Sequence, residues 1–388
     1  MQGSARKKIL VFTFTPINRE PRALKQIELL CDDHDVTTAG FGPAPVEGVP
    51  HIELESLPTS HGLLAIRGMY SLIILLRQYR LLSKVLPRNA SALARLTPHE
   101  WDLIIAHDVS TVPVARKLRS RFGVLVDLHE YATRQGENSL RWRLVEGGYF
   151  RWILKRHVRR AAAVSTVGQG IVDEYRREFG IECDLVVNAT PYRDIEPSKT
   201  PEPIRMVHSG AVAATRKLEI MIEAVKLTRT PVTLDLYLVG AEDAYFASLR
   251  KMAEGDPRIR FRDPVPYDQL VTTLSQYDIG LAMIAPSTFN LLWCLPNKFF
   301  DYIQARLAII TGPSPEMARI TREHDLGAVT EEFTGESLAA LLDRIDAAKV
   351  DAWKASAHRQ ARELSSEVQV KVWRRMVDRI FSRSDASA

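Results

Sequence analysis

Residues 8–41, KILVFTFTPINREPRALKQIELLCDDHDVTTAGF, hold the shortest stretch from which the fold can be read. KILVFTF is a buried strand run, PRALKQIELL a helix, and HDVTTAGF a second strand. The rhythm continues through WDLIIAHD, VARKLRSRF, GVLVDLHEY, a long helix near 140–160, AAAVSTVG, IVDEYRREFG and CDLVVN. It restarts at IRMVHSG and runs through KLEIMIEAVKL, TLDLYLVG, AYFASLRKMAEG, RIRF, YDQLVTTLSQ, DIGLAMI and NKFFDYIQAR to LAIITG. Strands alternating with helices imply parallel sheets with helices on both faces, so the fold class is α/β with two Rossmann-like domains. PYRDIEPSKTPEP, with four prolines in thirteen residues, reads as the junction.

The expected division is an N-terminal domain over 1–192, a linker over 193–203, a second domain over 204–349 and C-terminal helices over 350–388. Those helices carry Trp353 and Trp373 and cover one domain or bridge the two. Ligands bind outside the carboxyl ends of parallel strands, so function is expected in a cleft between two such sheets. The 388-residue length excludes a single small binding module. With 46% hydrophobic and 26% charged residues the composition is that of a globular protein. Cys31, Cys183 and Cys294 form no paired motif, which argues against a disulfide framework or a cysteine-rich zinc site and favours a reducing cytoplasm. The basic N-terminus leads into a strand rather than a cleavage site, so no signal peptide is expected.

Charge is uneven. Residues 1–200 hold 28 Lys and Arg against 22 Asp and Glu, and the remainder holds 24 against 25. Residues 56–99 carry Arg67, Arg77, Arg80, Lys84, Arg88 and Arg95 and no acid. On one helix, Arg77, Arg80, Lys84 and Arg88 would share a face, with Leu75, Leu76, Tyr79 and Leu82 among the apolar remainder. Such a helix lies on an anionic membrane surface, or else is a solvated face packed on its own core. The run LIILL is far too short to span a bilayer. No nucleic-acid-binding signature accompanies the charge, so nucleic acid is not an expected partner.

Chemistry concentrates at strand ends. In LPNKFFDYIQARLAIITG (295–312), Pro296 suits a first helical turn, and Asn297 and Asp301 share a face near the helix start. The unpaired amides there favour an anion, and Asp301 can accept two hydroxyls, as from a ribose diol; a capping Asn beside a surface Asp is the plainer alternative. In VHSGAVAATRKLE (207–219) a strand ends at Gly210, and Arg216 and Lys217 open the next helix, able to neutralise a diphosphate or simply solvated. His107 and Asp108 follow one first-half strand, and His129 and Glu130 another, each able to reach a ligand. The Asp-x-Asp within DDHD (32–35) precedes a strand at a surface turn and is not read as a metal site. GQG (168–170) lacks the full dinucleotide fingerprint.

Taken together, these segments resemble the GT-B glycosyltransferases, in particular the large retaining glycosyltransferase family four. ILVFTFTPINREPRALKQIELL looks like that family's opening strand, loop and helix, and DLIIAHDVSTVP and VDLHEY like its two His-bearing strand ends. VVNATPY, with Asn188, is similar to its domain junction. HSGAVAATRKLEIMIEAV looks like its glycine and basic pair, and LPNKFFDY like the Pro-Asn-Lys variant of its donor motif. The resemblance implies that the second domain holds a nucleotide-sugar through Gly210, Pro296, Asn297, Lys298 and Asp301. It gives Arg216 the place of the family lysine on the diphosphate, with Lys217 beside it, and puts His129 by the transferred sugar. Two departures stand in the same motifs. Trp293 occupies the place of the family's first acid, and Ala211 that of the arginine after the glycine.

The expected activity is therefore transfer of a sugar from a UDP-, GDP- or dTDP-sugar to a glycan, lipid-linked or natural-product acceptor, with retention, as in polysaccharide biosynthesis. Neither a cofactor nor a metal is expected. The alternatives are a catalytically silent nucleotide-sugar-binding partner and a sugar-nucleotide epimerase of the same fold. The expected location is cytoplasmic, peripheral on the inner face of the membrane, with Arg77, Arg80, Lys84 and Arg88 facing membrane or acceptor.

Overall fold

The computed structural model describes residues 6–55, 72–240 and 243–385. The chain divides into two compact units, one of Met1–Val187 with Val370–Ala388 and one of Asn188–Gln369. The division thus falls ahead of 193–203, and those residues bind along the second unit. Thr200 N donates to Asp351 Oδ1 at 3.0 Å, and Arg306 Nη2 to the Arg193 carbonyl at 2.5 Å.

The first unit holds strands β1 (Lys8–Pro16), β2 (Asp35–Phe41), β3 (His51–Glu53), β4 (Leu103–His107), β5 (Val124–Asp127), β6 (Ala163–Thr166) and β7 (Asp184–Leu185). They form one sheet in the order β3-β2-β1-β4-β5-β6-β7, every pairing parallel. Ile9, Leu10, Val11 and Phe12 are wholly buried because both faces of a parallel sheet are covered by helices. One covering element comes from far along the sequence. The helix Ser366–Asp385 buries Trp373, Met376, Val377 and Ile380 against Ile9, Val11, Leu103 and Leu125. The stretch near 140–160 is not one long helix. It breaks at Glu146 into Leu140–Val145 and Gly147–Arg156, followed by a short 3-10 turn at Val158–Arg160.

The second unit repeats the plan with β8 (Ile204–Ala211), β9 (Val232–Val239), β10 (Ile259–Arg262), β11 (Ile279–Ala282), β12 (Ala308–Thr311) and β13 (Gly327–Val329), ordered β10-β9-β8-β11-β12-β13. In both units the strand order reverses beside the unit's first strand. The carboxyl ends of β1 and β4, and of β8 and β11, therefore flank a natural ligand crevice in each sheet.

The basic stretch departs from the expected single helix. Residues 72–75 are helical, Arg77 turns left-handed at φ 54°, Tyr79–Val85 form a second helix, and Pro87–Leu96 a third. Pro87 cannot donate a backbone N–H and its ring forces Leu86 into extended geometry, so helical phase is lost there. Arg77, Arg80, Lys84 and Arg88 consequently do not lie on one face; only Arg80 and Lys84 share one. Arg88 packs its guanidinium 5.2 Å from the Phe14 ring centre and is half-buried, while Arg80 and Lys84 stay exposed. Arg67 lies outside the described residues.

Candidate functional site

At the carboxyl end of β8 a cavity of about 490 Å³ is lined by Gly210, Arg216, Pro296, Asn297, Lys298 and Asp301, with Tyr237 and Tyr267 among its walls. All six came from two sequence stretches some eighty residues apart, and β8 and the helix Asn297–Gln304 bring them together. Pro296 stands at the cap position outside that helix rather than in its first turn, its carbonyl accepts from Phe299 N at 3.0 Å, and the helix start at Asn297 and Lys298 lines the cavity. Asp301 is buried, and Thr190 Oγ1 donates to its Oδ1 at 2.6 Å. Asn188 Nδ2 likewise donates to Asn297 Oδ1 at 2.8 Å, so the junction segment orients both Asn297 and Asp301.

Arg216 and Lys217 do not open a helix. Arg216 ends a 3-10 turn over Ala214–Arg216, Lys217 is left-handed at φ 49° and exposed, and the helix begins at Glu219. Arg216 lines the cavity and Lys217 does not. The cation that joins Arg216 is Lys298, which is buried and donates from Nζ to His208 Nε2 at 3.0 Å. His208 Nδ1 meets the Leu281 carbonyl at 2.8 Å, so the imidazole gives its one hydrogen there and keeps a lone pair for the lysine. Burial, and next the charge of Arg216, lower the Lys298 amine to about 7. Burial and the neighbouring lysine hold His208 well below the usual histidine range. Gly210 has φ 153°, and a β-carbon there would collide with Lys298 Nζ. Glycine is thus required for the amine to lie over the end of β8.

A second polar group sits at the strand ends of the first unit. His107 and Asp127 are register partners in the parallel pair β4 and β5 and project on one face. His107 Nδ1 lies 3.1 Å from His129 Nε2, and His129 Nδ1 lies 3.8 Å from Glu20 Oε1. Burial lowers His107 to about 3, and its Nε2 has no hydrogen-bond partner among the described residues. Burial alone would raise the Asp127 carboxyl, but the two-pronged contact of Arg22, at 2.9 and 2.6 Å, holds it well below the usual carboxylate range. His107, Asp127 and His129 offer ligand atoms within 4.8 Å of one another, a spacing that a metal ion could use. Arg22 already neutralises that carboxylate, so the cluster reads as a hydrogen-bonded support for His129. Ser165 extends it, donating to Asp127 at 2.6 Å and receiving Trp373 Nε1 at 3.2 Å.

Asp108 adopts φ 62°, which aspartate tolerates, and its carboxylate accepts from Val109 N at 2.7 Å. Glu130 is raised to about 7 by burial and by Asp108. Its backbone is pinned by the Tyr175 hydroxyl, which donates to the Glu130 carbonyl and accepts from Ala132 N. The sequence reading did not single out Glu20, Arg22, Asp127, Thr190 or His208. A charged residue inside the apolar run GVLVDL was the available signal for Asp127.

Elsewhere in the first unit a groove of about 890 Å³ is lined by Arg77, Arg143, Lys155 and Arg156 together with Trp142 and Trp152. Leu75 and Leu144 stand on its wall at 71% and 64% exposure, making a basic and apolar surface. Among the described residues no helix is long and apolar enough to cross a membrane.

The fold is GT-B, the architecture of a large class of glycosyltransferases. Residues 21–188 match the family described as a glycosyl transferase 4-like domain. The structure is similar to HepE of Anabaena in complex with UDP-glucose, at 14% identity and a TM-score of 0.67 over 97% of this chain and 100% of that one. It is similar to sucrose-phosphate synthase of Thermosynechococcus elongatus, at 12% identity and a TM-score of 0.73 over 97% and 100%. It is also similar to WaaG, a glycosyltransferase involved in lipopolysaccharide biosynthesis, at 10% identity and a TM-score of 0.64 over 94% and 99%. No curated protein matches the chain.

Proposed function

We propose that the protein is a glycosyltransferase that takes a hexose or related sugar from a nucleotide-sugar, binding the donor at the end of β8 without a metal. The observation that carries this reading is the cavity itself, which sets two cations and a helix start beside a carboxylate oriented by Thr190. A nucleoside diphosphate presents the complementary set, two phosphates and a ribose diol. Arg216, Lys298 and the helix amides stabilise the leaving diphosphate as its charge develops. His129, aligned by His107 and Glu20, steadies positive character on the transferred sugar. Retention follows from the resemblance to family four. UDP is favoured as the nucleotide because HepE was captured with UDP-glucose.

For the acceptor we propose a lipid-linked molecule. The support is the groove of the first unit, where exposed leucines adjoin Arg143, Lys155 and Arg156, a pairing suited to an anionic headgroup and its chain. On this reading the protein works at the cytoplasmic face of a membrane.

The test is thermal stabilisation by UDP, GDP and dTDP, followed by hydrolysis and transfer assays with the matching nucleotide-sugars. A protein stabilised by none of the three would defeat the donor reading. Trp293 and Ala211 motivate a second reading, a silent nucleotide-sugar-binding partner. Binding without hydrolysis or transfer to any acceptor would favour it.

A further inference from the structure

Lys298 is an unusual residue for a buried position, and the surroundings do not neutralise it. From β8 it meets His208, which accepts its hydrogen bond and carries no charge, and the backbone of Gly210. From the turn after β8 it meets the charge of Arg216, and from the segment before its own helix it meets Cys294, whose thiol burial pushes up to about 11 and so leaves neutral. Its own helix supplies Asp301, among the described residues the one carboxylate lining the cavity, which is already hydrogen-bonded by Thr190. Tyr237 and Tyr267 complete the titratable walls. Two basic side chains therefore converge on the glycine at the strand end, and one acid answers them.

We propose that Lys298 completes with Arg216 a two-cation clamp for the donor diphosphate, and that a proton enters the clamp together with the ligand. The proposal rests on the donor reading above. A nucleotide-sugar has both phosphates esterified, so it brings two negative charges and no group that titrates near neutrality. In the empty site, burial, the neighbouring Arg216 charge and a neutral imidazole partner all disfavour the ammonium form of Lys298. The diphosphate favours ammonium, and the buffer supplies the missing proton. Gly210 is the structural condition of the clamp, since any side chain there would displace the amine. His208 is a positioning residue, holding Nζ over the strand end from beneath.

Calorimetric titration with UDP-glucose at about pH 8, in HEPES and in Tris, reads the proton directly, because the two buffers differ in ionisation heat. The wild-type protein should take up close to one proton at about pH 8 and close to none at about pH 6. Its affinity should fall by up to about tenfold per pH unit above neutrality. Lys298→Met should bind more weakly at about pH 6.5 and exchange no proton at either pH. Gly210→Ala should lose the uptake as well, by crowding the amine. Circular dichroism of each variant, with uridine binding as a second check, establishes that the fold and nucleoside contacts survive. Binding of UDP-glucose with no proton uptake in the wild-type protein, or with uptake retained in Lys298→Met, would overturn the entry of a proton at Lys298 and leave the donor reading standing. Failure of UDP-glucose, GDP-mannose and dTDP-glucose to bind at all would overturn both.

Discussion

Thr190 Oγ1 donates a 2.6 Å hydrogen bond to Oδ1 of Asp301, so the carboxylate at the base of the cavity has one oxygen fixed before any ligand arrives. Thr190 belongs to the segment that enters the second unit, and the helix carrying Asp301 belongs to its interior.

Asp301→Ala should weaken UDP binding by about 1–3 kcal/mol, the scale of losing hydrogen bonds to a charged group. Thr190→Val should cost about 0.5–1.5 kcal/mol, because the carboxylate remains but loses its orientation. Equal UDP affinity in wild type and Asp301→Ala, with the fold intact, would remove the ribose assignment.

Arg216 and Lys217, adjacent in sequence, should separate in kinetics. Arg216→Ala should lower kcat out of proportion to KM, since it lines the cavity proposed for the leaving diphosphate, whereas Lys217→Ala should change kcat/KM by less than about twofold. A Lys217→Ala enzyme as damaged as Arg216→Ala would show that the exposed side chain reaches the donor after all.

Arg22→Ala leaves the Asp127 carboxylate buried without its cation. It should destabilise the protein by about 3–5 kcal/mol in urea unfolding, the scale for breaking a buried ion pair. Little or no change in the urea midpoint would show that this pair does not organise the strand ends of the first unit.

Glu130 gives a pH dependence of definite sign. Its carboxyl is raised to about 7, so between the ordinary carboxylate value and about 7 the folded protein binds more protons than the unfolded chain. Stability from this group is complete at about pH 4 and lost as pH rises through about 7. Glu130→Gln should therefore gain about 1–3 kcal/mol over wild type at about pH 8 and almost nothing at about pH 4.5. Equal stability differences at the two pH values would count against a protonated Glu130.

Arg143, Lys155 and Arg156 line the basic groove, and replacing all three by Glu should abolish sedimentation with anionic liposomes at low ionic strength while leaving UDP binding unchanged. The wild-type protein should be released by salt, as a screened interaction requires. No wild-type binding to anionic vesicles at low salt would make a soluble acceptor the better reading.

The alternation of apolar strands and amphipathic helices was legible because period and burial are local properties of the chain, and Gly210, Asn297 and Asp301 were legible because strand ends and helix starts carry recognisable residues. The basic stripe failed at a visible residue. Counting Arg88 onto the same helical face as Lys84 ran the helical period across Pro87, where a helix cannot continue without losing its phase. The lysine over Gly210 was read as part of the donor motif, but its pairing with His208 joins residues 90 apart in sequence and could come only from the fold. The same holds for the four-residue arrangement of Arg22, Asp127, Ser165 and Trp373, which draws on two sheet strands and two helices distant in the chain.

The helix Ser366–Asp385 lends Trp373, Met376, Val377 and Ile380 to a core whose other members lie before residue 187. On the ribosome, the first half of the chain therefore waits through the synthesis of the entire second half before its last apolar surface can be covered. The second unit, continuous in sequence, can close earlier. A nascent chain stalled before residue 370 should thus present a finished second unit and an unfinished first, the state in which chaperone binding is most expected.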